Sequence, residues 1–170
     1  MPNAEKWLAL ISDTHGHSAF TSEALRVLDA FEPIAYLHAG DIGGPEIVRL
    51  FPTDRPCHFV QGNCDYDLIT LASAVEELGH QWHGAMGDIQ IENRRIALLH
   101  GDHSRQLQVA MDSQQYDAVI HGHTHQSRSE KVGITRIVNP GAVYRANPPT
   151  VGIFNLQTME LQILQYRSTV

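Results

Sequence analysis

Residues 7–15 read WLALISDTH, an uninterrupted apolar run that passes directly into a polar segment. Continuous apolar runs of this length are typical of strands that are buried on both faces of a sheet. The polar segment predicts a loop at the carboxyl end of that strand, where open α/β sheets collect their ligands. The stretch that predicts the fold class therefore also places Asp13 and His15 as candidate functional residues.

The rest of the chain continues this pattern. Apolar residues at helical spacing predict helices over 20–31, 45–50, 68–78 and 104–113. Apolar runs predict strands over 34–38, 57–60, 89–92, 96–100 and 118–121, with a turn at 93–95, and then over 127–132, 134–138, 151–155 and 161–166. A βαβαβ half followed by a strand-rich half predicts an α/β fold with two facing sheets and helices outside.

Length and composition limit the function classes. A chain of 170 residues fits one domain, so we expect residues 1–170 to form a single unit. The formal charge of -7 argues against binding long nucleic acid, which needs many Lys and Arg side chains on phosphates. The first apolar run is too short for a signal peptide or a membrane span, and two cysteines without a CxxC pair favour a reducing compartment. We expect a cytoplasmic protein without membrane contact, and the sequence is compatible with a homo-oligomer.

Short polar motifs follow the predicted strands, and most of them alone have an ordinary structural interpretation. Asp13 is a typical helix cap, Asn63 after a glycine is typical of a tight turn, and His100 fits a strand end. The GHTH segment at 122–125 is less ambiguous, because two histidines one residue apart in an extended segment point the same way. Such a pair can meet one or two metal ions.

Taken in order, the motifs supply a complete set of metal ligands. Two carboxylates, one amide oxygen and four imidazoles follow separate strands, namely Asp13, His15, Asp41, Asn63, His100, His123 and His125. A mixed nitrogen and oxygen set suits Mn, Fe, Zn, Co or Ni ions and is unsuited to Ca.

The motif order DxH, GD, GNxD, H and GHxH resembles the calcineurin-like metallophosphoesterase superfamily. It is most similar to the small single-domain phosphodiesterases of bacteria and archaea, in which Cys follows the GN pair, as Cys64 does here. The Asn-Pro-Gly loop at 139–141 also recurs in that branch, so the resemblance covers nearly the whole chain. It implies a four-layer α/β/β/α sandwich of two mixed β-sheets flanked by helices.

The resemblance also implies two divalent metal ions, with Mn as first choice and Fe, Zn, Ni and Co as alternatives. The implied ligands are Asp13, His15 and His125 for one ion, Asn63, His100 and His123 for the other, and Asp41 as the bridge. Asp41 and Asn63 are therefore catalytic candidates as well. Two ions about 3.5 to 4 Å apart lower the pKa of a shared water, so the implied nucleophile is a metal-bridging hydroxide.

The implied activity is that of a phosphodiesterase acting on small phosphodiesters or nucleotides. A phosphomonoesterase and a dinucleoside polyphosphate hydrolase are alternative enzymes. A protein of another class, a non-catalytic scaffold, is a further alternative, because the fold also occurs in a protein-binding subunit of the retromer complex whose metal site is degraded. The presence of every expected ligand argues against the scaffold.

The sequence departs from many superfamily members at one catalytic position. The residue after the motif Asn is often a histidine that protonates the leaving oxygen or stabilises the transition state, and here it is Cys64. A thiol with a pKa of about 8.5 is a weak donor, and this Cys is alternatively a small buried filler. His17 and His103, each close in sequence to an implied ligand, are the alternative general acids.

Further charged and polar positions lie near the motifs. Asp65 and Asp102 are candidates for orienting a ligand or its loop, with solvated loop acids as the alternative. The 139–141 loop is expected to shape the chain beside the metals. Arg105, Arg128 and Arg145 are candidates for a phosphate contact, and the sequence favours none of them.

Overall fold

The computed structural model describes residues 5–167. Its helices are α1 (Ser18–Asp29), α2 (Pro45–Val48), α3 (Leu68–Glu77) and α4 (Ser104–Asp112). Its strands are β1 (Trp7–Ile11), β2 (Ala35–His38), β3 (Cys57–Phe59), β4 (Gln81–Trp82), β5 (Met86–Ile91), β6 (Arg94–Leu99), β7 (Ala118–Ile120), β8 (Arg128–Val132), β9 (Thr135–Asn139), β10 (Thr150–Asn155) and β11 (Glu160–Gln165). In this part of the chain, every helix lacks the length and hydrophobicity that a membrane span needs.

The strands form two mixed sheets, as predicted. The first has the order β11-β10-β1-β2-β3-β4, in which β1 to β4 run parallel. Strand β10 pairs antiparallel with β1, and β11 pairs antiparallel with β10. The second has the order β5-β6-β7-β9-β8, in which β6, β7 and β9 run parallel. The parallel strands provide the carboxyl ends at which ligands collect in α/β folds.

The apolar side chains divide into three layers of core. Along β1, Leu8 and Leu10 belong to the core between the two sheets, whereas Ala9 and Ile11 belong to the core under α1, α2 and α3. The second sheet alternates in the same way, and its outer face packs on α4. This alternation follows from the two-residue period of strands and explains why the runs read as continuously apolar. The result is the predicted arrangement of two sheets flanked by helices.

The structure corrects three details of the predicted elements. β4 was not predicted, because two residues carry no periodicity. β5 begins at Met86 instead of residue 89. The following turn consists of Glu92 and Asn93, because Ile91 pairs with Arg94 and Glu92 takes a left-handed φ of 54°. The predicted turn at 93–95 is therefore wrong at its end, since Arg94 and Arg95 belong to β6. Arg94 forms an ion pair with Asp117, and Arg95 forms one with Asp88.

Candidate metal centre

The seven candidate ligands converge on one edge of the sandwich. Asp13 follows β1, Asp41 follows β2 and Asn63 follows β3, all in the first sheet. His100 follows β6, and the GHTH segment at 122–125 follows β7, both in the second sheet. Backbone hydrogen bonds join these loops, among them Asp13 N–H to the Gly40 carbonyl at 3.0 Å. Carboxyl ends of parallel strands from both sheets thus build a single site.

Asp13, His15 and His125 form one half of the site. Their candidate ligand atoms all lie within 4.8 Å of one another. His125 Nε2 is 3.1 Å from Asp13 Oδ1, and His15 Nε2 is 3.8 Å from the same oxygen. The other Asp13 oxygen accepts a 2.6 Å hydrogen bond from the Ser12 hydroxyl, which fixes the orientation of the carboxylate.

Asn63, His100 and His123 form the other half. Asn63 Oδ1 is 3.1 Å from His100 Nε2 and 3.0 Å from His123 Nδ1. The two imidazole nitrogens are themselves 3.3 Å apart. Three potential donors of electron pairs therefore face a common point.

Asp41 lies between the two halves. Its Oδ2 is 3.7 Å from His15 Nε2 and 3.4 Å from His100 Nε2. Its Oδ1 accepts a 2.8 Å hydrogen bond from the Cys64 backbone N–H. One carboxylate thus contacts a residue of each half while its other oxygen is held by the backbone.

The imidazole tautomers show that the donor set fits a cation. His100 Nδ1 is 2.7 Å from the Ala39 carbonyl and His125 Nδ1 is 3.4 Å from the Arg145 carbonyl, and a carbonyl only accepts, so both Nδ1 atoms carry the proton. Their Nε2 atoms then face the oxygens of Asp41, Asn63 and Asp13, as lone pairs in the neutral rings and as N–H donors in the protonated rings. His15 Nε2 is buried without a hydrogen-bond partner in residues 5–167. Lone pairs that face oxygen require a proton or a metal ion between them, and metal-bound histidines typically donate their other N–H to a carbonyl.

Burial and charge shift the pKa values at the centre in opposite directions. Burial raises the pKa of Asp13, and burial lowers the pKa of His15. For Asp41, burial acts to raise the pKa, but hydrogen bonds from His100 and the Cys64 N–H and the charges of His100 and His15 outweigh it, so the pKa falls well below its usual range. Burial likewise acts to lower the pKa of His100, and Asp41 reverses the effect. Asp41 is therefore a carboxylate at neutral pH.

The backbone of the centre is unusual in a way that the sequence did not indicate. Asp13, His15, Asp41, His123 and His125 all have left-handed φ values, between 45° and 67°. This region is uncommon for residues with a Cβ atom, although Asp, Asn and His enter it more readily than most. Strained residues of this kind persist only where the surrounding structure holds them, and they cluster at functional sites.

Two glycines are required because functional atoms approach their backbone. A Cβ atom on Gly62 would lie 2.1 Å from Asp41 Oδ1, and one on Gly122 would lie 2.0 Å from the Ser12 hydroxyl. Either side chain would displace a hydrogen-bonded carboxylate. The glycines of the GN and GH motifs are thus explained by sterics as well as by turn geometry.

Asp65 and Asn139 hold the loops together. Asp65 accepts hydrogen bonds from the backbone N–H groups of Ile42, Gly43 and Gly62, at 3.1, 2.9 and 2.9 Å, so it joins the loop of Asp41 to the loop of Asn63. Asn139 donates to the Gly122 carbonyl at 2.9 Å and to the Thr124 hydroxyl at 3.1 Å. The Asn-Pro-Gly loop therefore fastens the segment that carries His123 and His125.

The two candidate general acids have different surroundings. His103 is 76% exposed, approaches Asp102 at 3.5 Å and lines a depression of about 300 Å³ that Asn63 also lines. The His17 ring stacks on the Tyr144 ring, with centroids 3.5 Å apart. The Tyr144 ring in turn lies 6.5 Å from the His15 ring, so His17 adjoins the centre through Tyr144. Only His103 shares a depression with one of the seven candidate ligands.

Cys64 and Arg145 lie closer to the centre than the sequence indicated. The Cys64 sulfur forms a group with the ligand atoms of His15 and Asp41, so this thiol is part of the centre and not core filler. Burial and the Asp41 charge raise its pKa, which keeps the proton on sulfur at neutral pH. The Arg145 charge acts on both His15 and Cys64 in the direction that lowers the pKa, as a smaller contribution than burial at each. The sequence feature that could have singled out Arg145 is its position just beyond the 139–141 loop.

Comparisons with known proteins identify the family of this chain. The model of the calcineurin-like phosphoesterase superfamily domain matches residues 7–159. A phosphodiesterase of Methanocaldococcus jannaschii is 26% identical over 159 residues, which cover 90% of this chain and 95% of that protein. A protein of Methanothermobacter thermautotrophicus named "Probable metallophosphoesterase" is 30% identical over 164 residues, which cover 91% and 88% of the two chains.

Solved structures show the same fold. A novel archaeal phosphodiesterase superposes with a TM-score of 0.87 at 24% identity, over 94% of this chain and 99% of that one. The fold also extends to Vps29 of Entamoeba histolytica, solved in complex with Zn²⁺, with a TM-score of 0.63 at 20% identity over 94% and 98% of the chains. At these identities the likeness concerns the fold alone.

Proposed function

Because the chain belongs to the calcineurin-like phosphoesterase superfamily, we propose that it is a dinuclear-metal phosphodiesterase that acts on small phosphodiesters or nucleotides. The position of Asp41 gives this proposal its main support. Its Oδ2 is 3.7 Å from His15 Nε2 and 3.4 Å from His100 Nε2, between two sets of candidate ligands. A pair of cations needs such a shared carboxylate.

In this proposal each half of the centre holds one ion. The proposed ligands are Asp13, His15 and His125 for the first ion, Asn63, His100 and His123 for the second, and Asp41 for both. Mn is the proposed metal, with Fe, Zn, Ni and Co as alternatives, since the nitrogen and oxygen donors suit all of them. When bound, two such ions activate water for attack on phosphorus and neutralise charge on the phosphate oxygens.

The chain's own residues orient the substrate and supply charge. We assign Arg145 to a phosphate oxygen, because its side chain has no hydrogen-bond or ion-pair partner within residues 5–167 and its charge reaches His15 and Cys64. A planar guanidinium matches two phosphate oxygens at once. Net charge does not oppose this binding, because the ions and Arg145 make the centre locally positive.

We assign protonation of the leaving oxygen to His103 in preference to His17. His103 is exposed in the depression beside Asn63, whereas the His17 ring is stacked against Tyr144. The test compares His103→Asn and His17→Asn on diesters that release p-nitrophenol or an aliphatic alcohol. Loss of a general acid should lower turnover of the alkyl ester by about 100-fold and barely affect the nitrophenyl ester. Equal effects on both esters in His103→Asn would remove this assignment.

The function itself is tested with metal-free protein resupplied with Mn, Ni, Co, Zn or Mg. Bis(p-nitrophenyl) phosphate, p-nitrophenyl phosphate and a dinucleoside polyphosphate are compared as substrates, and bound metal is measured in parallel. We expect two ions per chain and the highest kcat/KM on the diester. A preference for the monoester or the polyphosphate would replace the diesterase with one of those enzymes. Protein that binds no stoichiometric metal and cleaves nothing would favour the scaffold.

A further inference from the structure

A second depression of about 320 Å³ adjoins the centre on the Cys64 side. It lies between the loop that follows β2 and the start of α3, and its walls include Gly43, Pro45, Glu46, Cys64, Tyr66 and Thr70. Cys64 is both a wall of this depression and a neighbour of His15 and Asp41. Through Cys64, the depression therefore adjoins the atoms that would meet a phosphate.

Tyr66 gives this depression an aromatic wall. The residue is 88% exposed, so its ring is free to contact a ligand. Aromatic rings held at the edge of a nucleotide-binding cleft stack on bases and other flat groups without regard to sequence. Ile69 in the next turn is similarly exposed, at 82%, but does not line the depression, which makes it a matched control.

The charge of the depression argues against a ligand with a further phosphate. Lys, Arg and His are absent from its lining among residues 5–167. Asp65 is engaged by backbone N–H groups and Asp67 caps α3 through Thr70, but within these residues the Glu46 carboxylate has no hydrogen-bond or ion-pair partner. An unpaired carboxylate repels a second anion at short range.

The two depressions are lined by neighbouring residues of one loop. Asn63 lines the one that contains His103, and Cys64 lines the one that contains Tyr66. A phosphodiester carries two organic groups and a monoester only one, so the number of depressions matches the diester. The group that leaves belongs beside His103, the proposed general acid, and the retained group belongs beside Tyr66.

We propose that the Cys64-side depression binds the organic group that stays on phosphorus, that this group is an uncharged aromatic ring or nucleobase, and that Tyr66 and Glu46 determine this specificity. The inference rests on the proposed phosphodiesterase function and deepens it. Tyr66 provides the stacking surface, and Glu46 excludes groups that carry another phosphate. The substrates are therefore aryl or nucleoside diesters that lack a second phosphate on the retained side.

The test of Tyr66 uses two substrates with the same leaving group. Bis(p-nitrophenyl) phosphate retains an aryl group and methyl p-nitrophenyl phosphate retains a methyl group, while both release p-nitrophenol. Because stacking on an aromatic residue is worth about 1 to 3 kcal/mol per base, Tyr66→Ala should lower kcat/KM about tenfold for the aryl diester, mainly through KM. The methyl diester should change by less than about twofold, and Tyr66→Phe and Ile69→Ala should behave like the wild type.

The test of Glu46 uses thymidine 3′-(p-nitrophenyl phosphate) with and without a 5′-phosphate. Glu46→Gln should raise kcat/KM for the 5′-phosphorylated substrate about threefold to fivefold, since it removes one nearby like charge, and leave the other substrate unchanged. If Tyr66→Ala changes kcat/KM equally for the aryl and methyl diesters, or changes neither, this inference is overturned and the proposed function is not. Absence of diester cleavage by the metal-loaded wild type overturns the proposed function instead.

Discussion

Histidines cluster in two regions of this molecule, and the two clusters differ in their oxygen neighbours. At the candidate metal centre, His100 lies 3.4 Å from Asp41, and that carboxylate raises its pKa although burial acts to lower it. In the second cluster, His58 and His83 stack and approach to 3.0 Å, and His80 lies nearby, but no carboxylate pairs with any of the three within residues 5–167. Burial, followed by the charges of His83 and His80, lowers the pKa of His58 to about 4.

The difference shows that neighbouring imidazoles alone do not build a cation site. Of the two clusters, the one in which carboxylate and amide oxygens converge with the imidazoles is the one where loops from both sheets meet. The second cluster has imidazoles on β3 and around β4, inside one sheet, and these rings are suited to the neutral state. Oxygens that follow separate strands are therefore the signal that distinguishes a metal centre from a buried histidine group.

The largest expected effect follows from removal of the shared oxygen. Asp41→Asn keeps the shape of the side chain but removes the charge that both halves of the centre contact. We expect kcat/KM for a diester to fall by about 10³-fold or more, since preorganised charge at a reacting centre is commonly worth that much. Bound metal, measured after gel filtration, should fall with it. His83→Asn in the second cluster is the control, and a comparable loss of activity there would erase the contrast between the clusters.

The next effect concerns stability at low pH. His58 has a folded-state pKa of about 4, below the ordinary 6.5, so its contribution is complete above pH 6.5 and is lost as the pH falls towards 4. The shift corresponds to about 2 to 3 kcal/mol of unfolding free energy lost between pH 7.5 and 4.5. In His58→Gln the unfolding free energy lost between pH 7.5 and 4.5 should be smaller by about 2 to 3 kcal/mol, as measured by urea unfolding at both pH values. An unchanged difference would mean that His58 titrates normally in the folded protein.

A smaller effect is expected from the loop contacts of Asn139. Asn139→Ala removes the hydrogen bonds to Gly122 and Thr124, which hold the segment that carries His123 and His125. Residues that orient metal ligands typically contribute about 10- to 100-fold to affinity or activity, so kcat/KM and metal affinity should fall by about that factor. Thr135→Val, which removes another buried hydrogen bond of β9, controls for general destabilisation. If the control loses as much activity, Asn139 has no specific role in the centre.

The smallest effect is a difference in reactivity between the two thiols. Burial raises the pKa of the Cys57 thiol to about 12, and this residue is fully buried, whereas Cys64 is partly exposed at the centre. An aromatic disulfide reagent should modify one thiol per folded chain at pH 8. Cys64→Ser should abolish this reaction, and modification of two thiols in folded protein would contradict it.

Much of the fold and of the candidate site was predictable because a buried parallel strand is an apolar run in the sequence and is followed by polar residues at its carboxyl end. The apolar run of β1 predicted a strand that the structure confirms, and the polar residues after it predicted candidate ligands that the structure brings together; the same holds for β2 and β7. β4 and the Glu92-Asn93 turn were not predictable, since a two-residue strand has no period and the turn depends on pairing register. The roles of Cys64 and Arg145 depend on which loops meet in space, which spacing along the chain does not specify.

The left-handed backbone at five of the seven candidate ligands has a consequence for evolution and engineering. Each such residue stores about 1 to 2 kcal/mol relative to a relaxed conformation. Glycine at any of these positions would relieve that energy and remove a ligand in the same step. Relief of backbone strain and retention of the candidate ligands therefore oppose each other at Asp13, His15, Asp41, His123 and His125, so a glycine that raised the melting temperature at one of these positions should lower turnover.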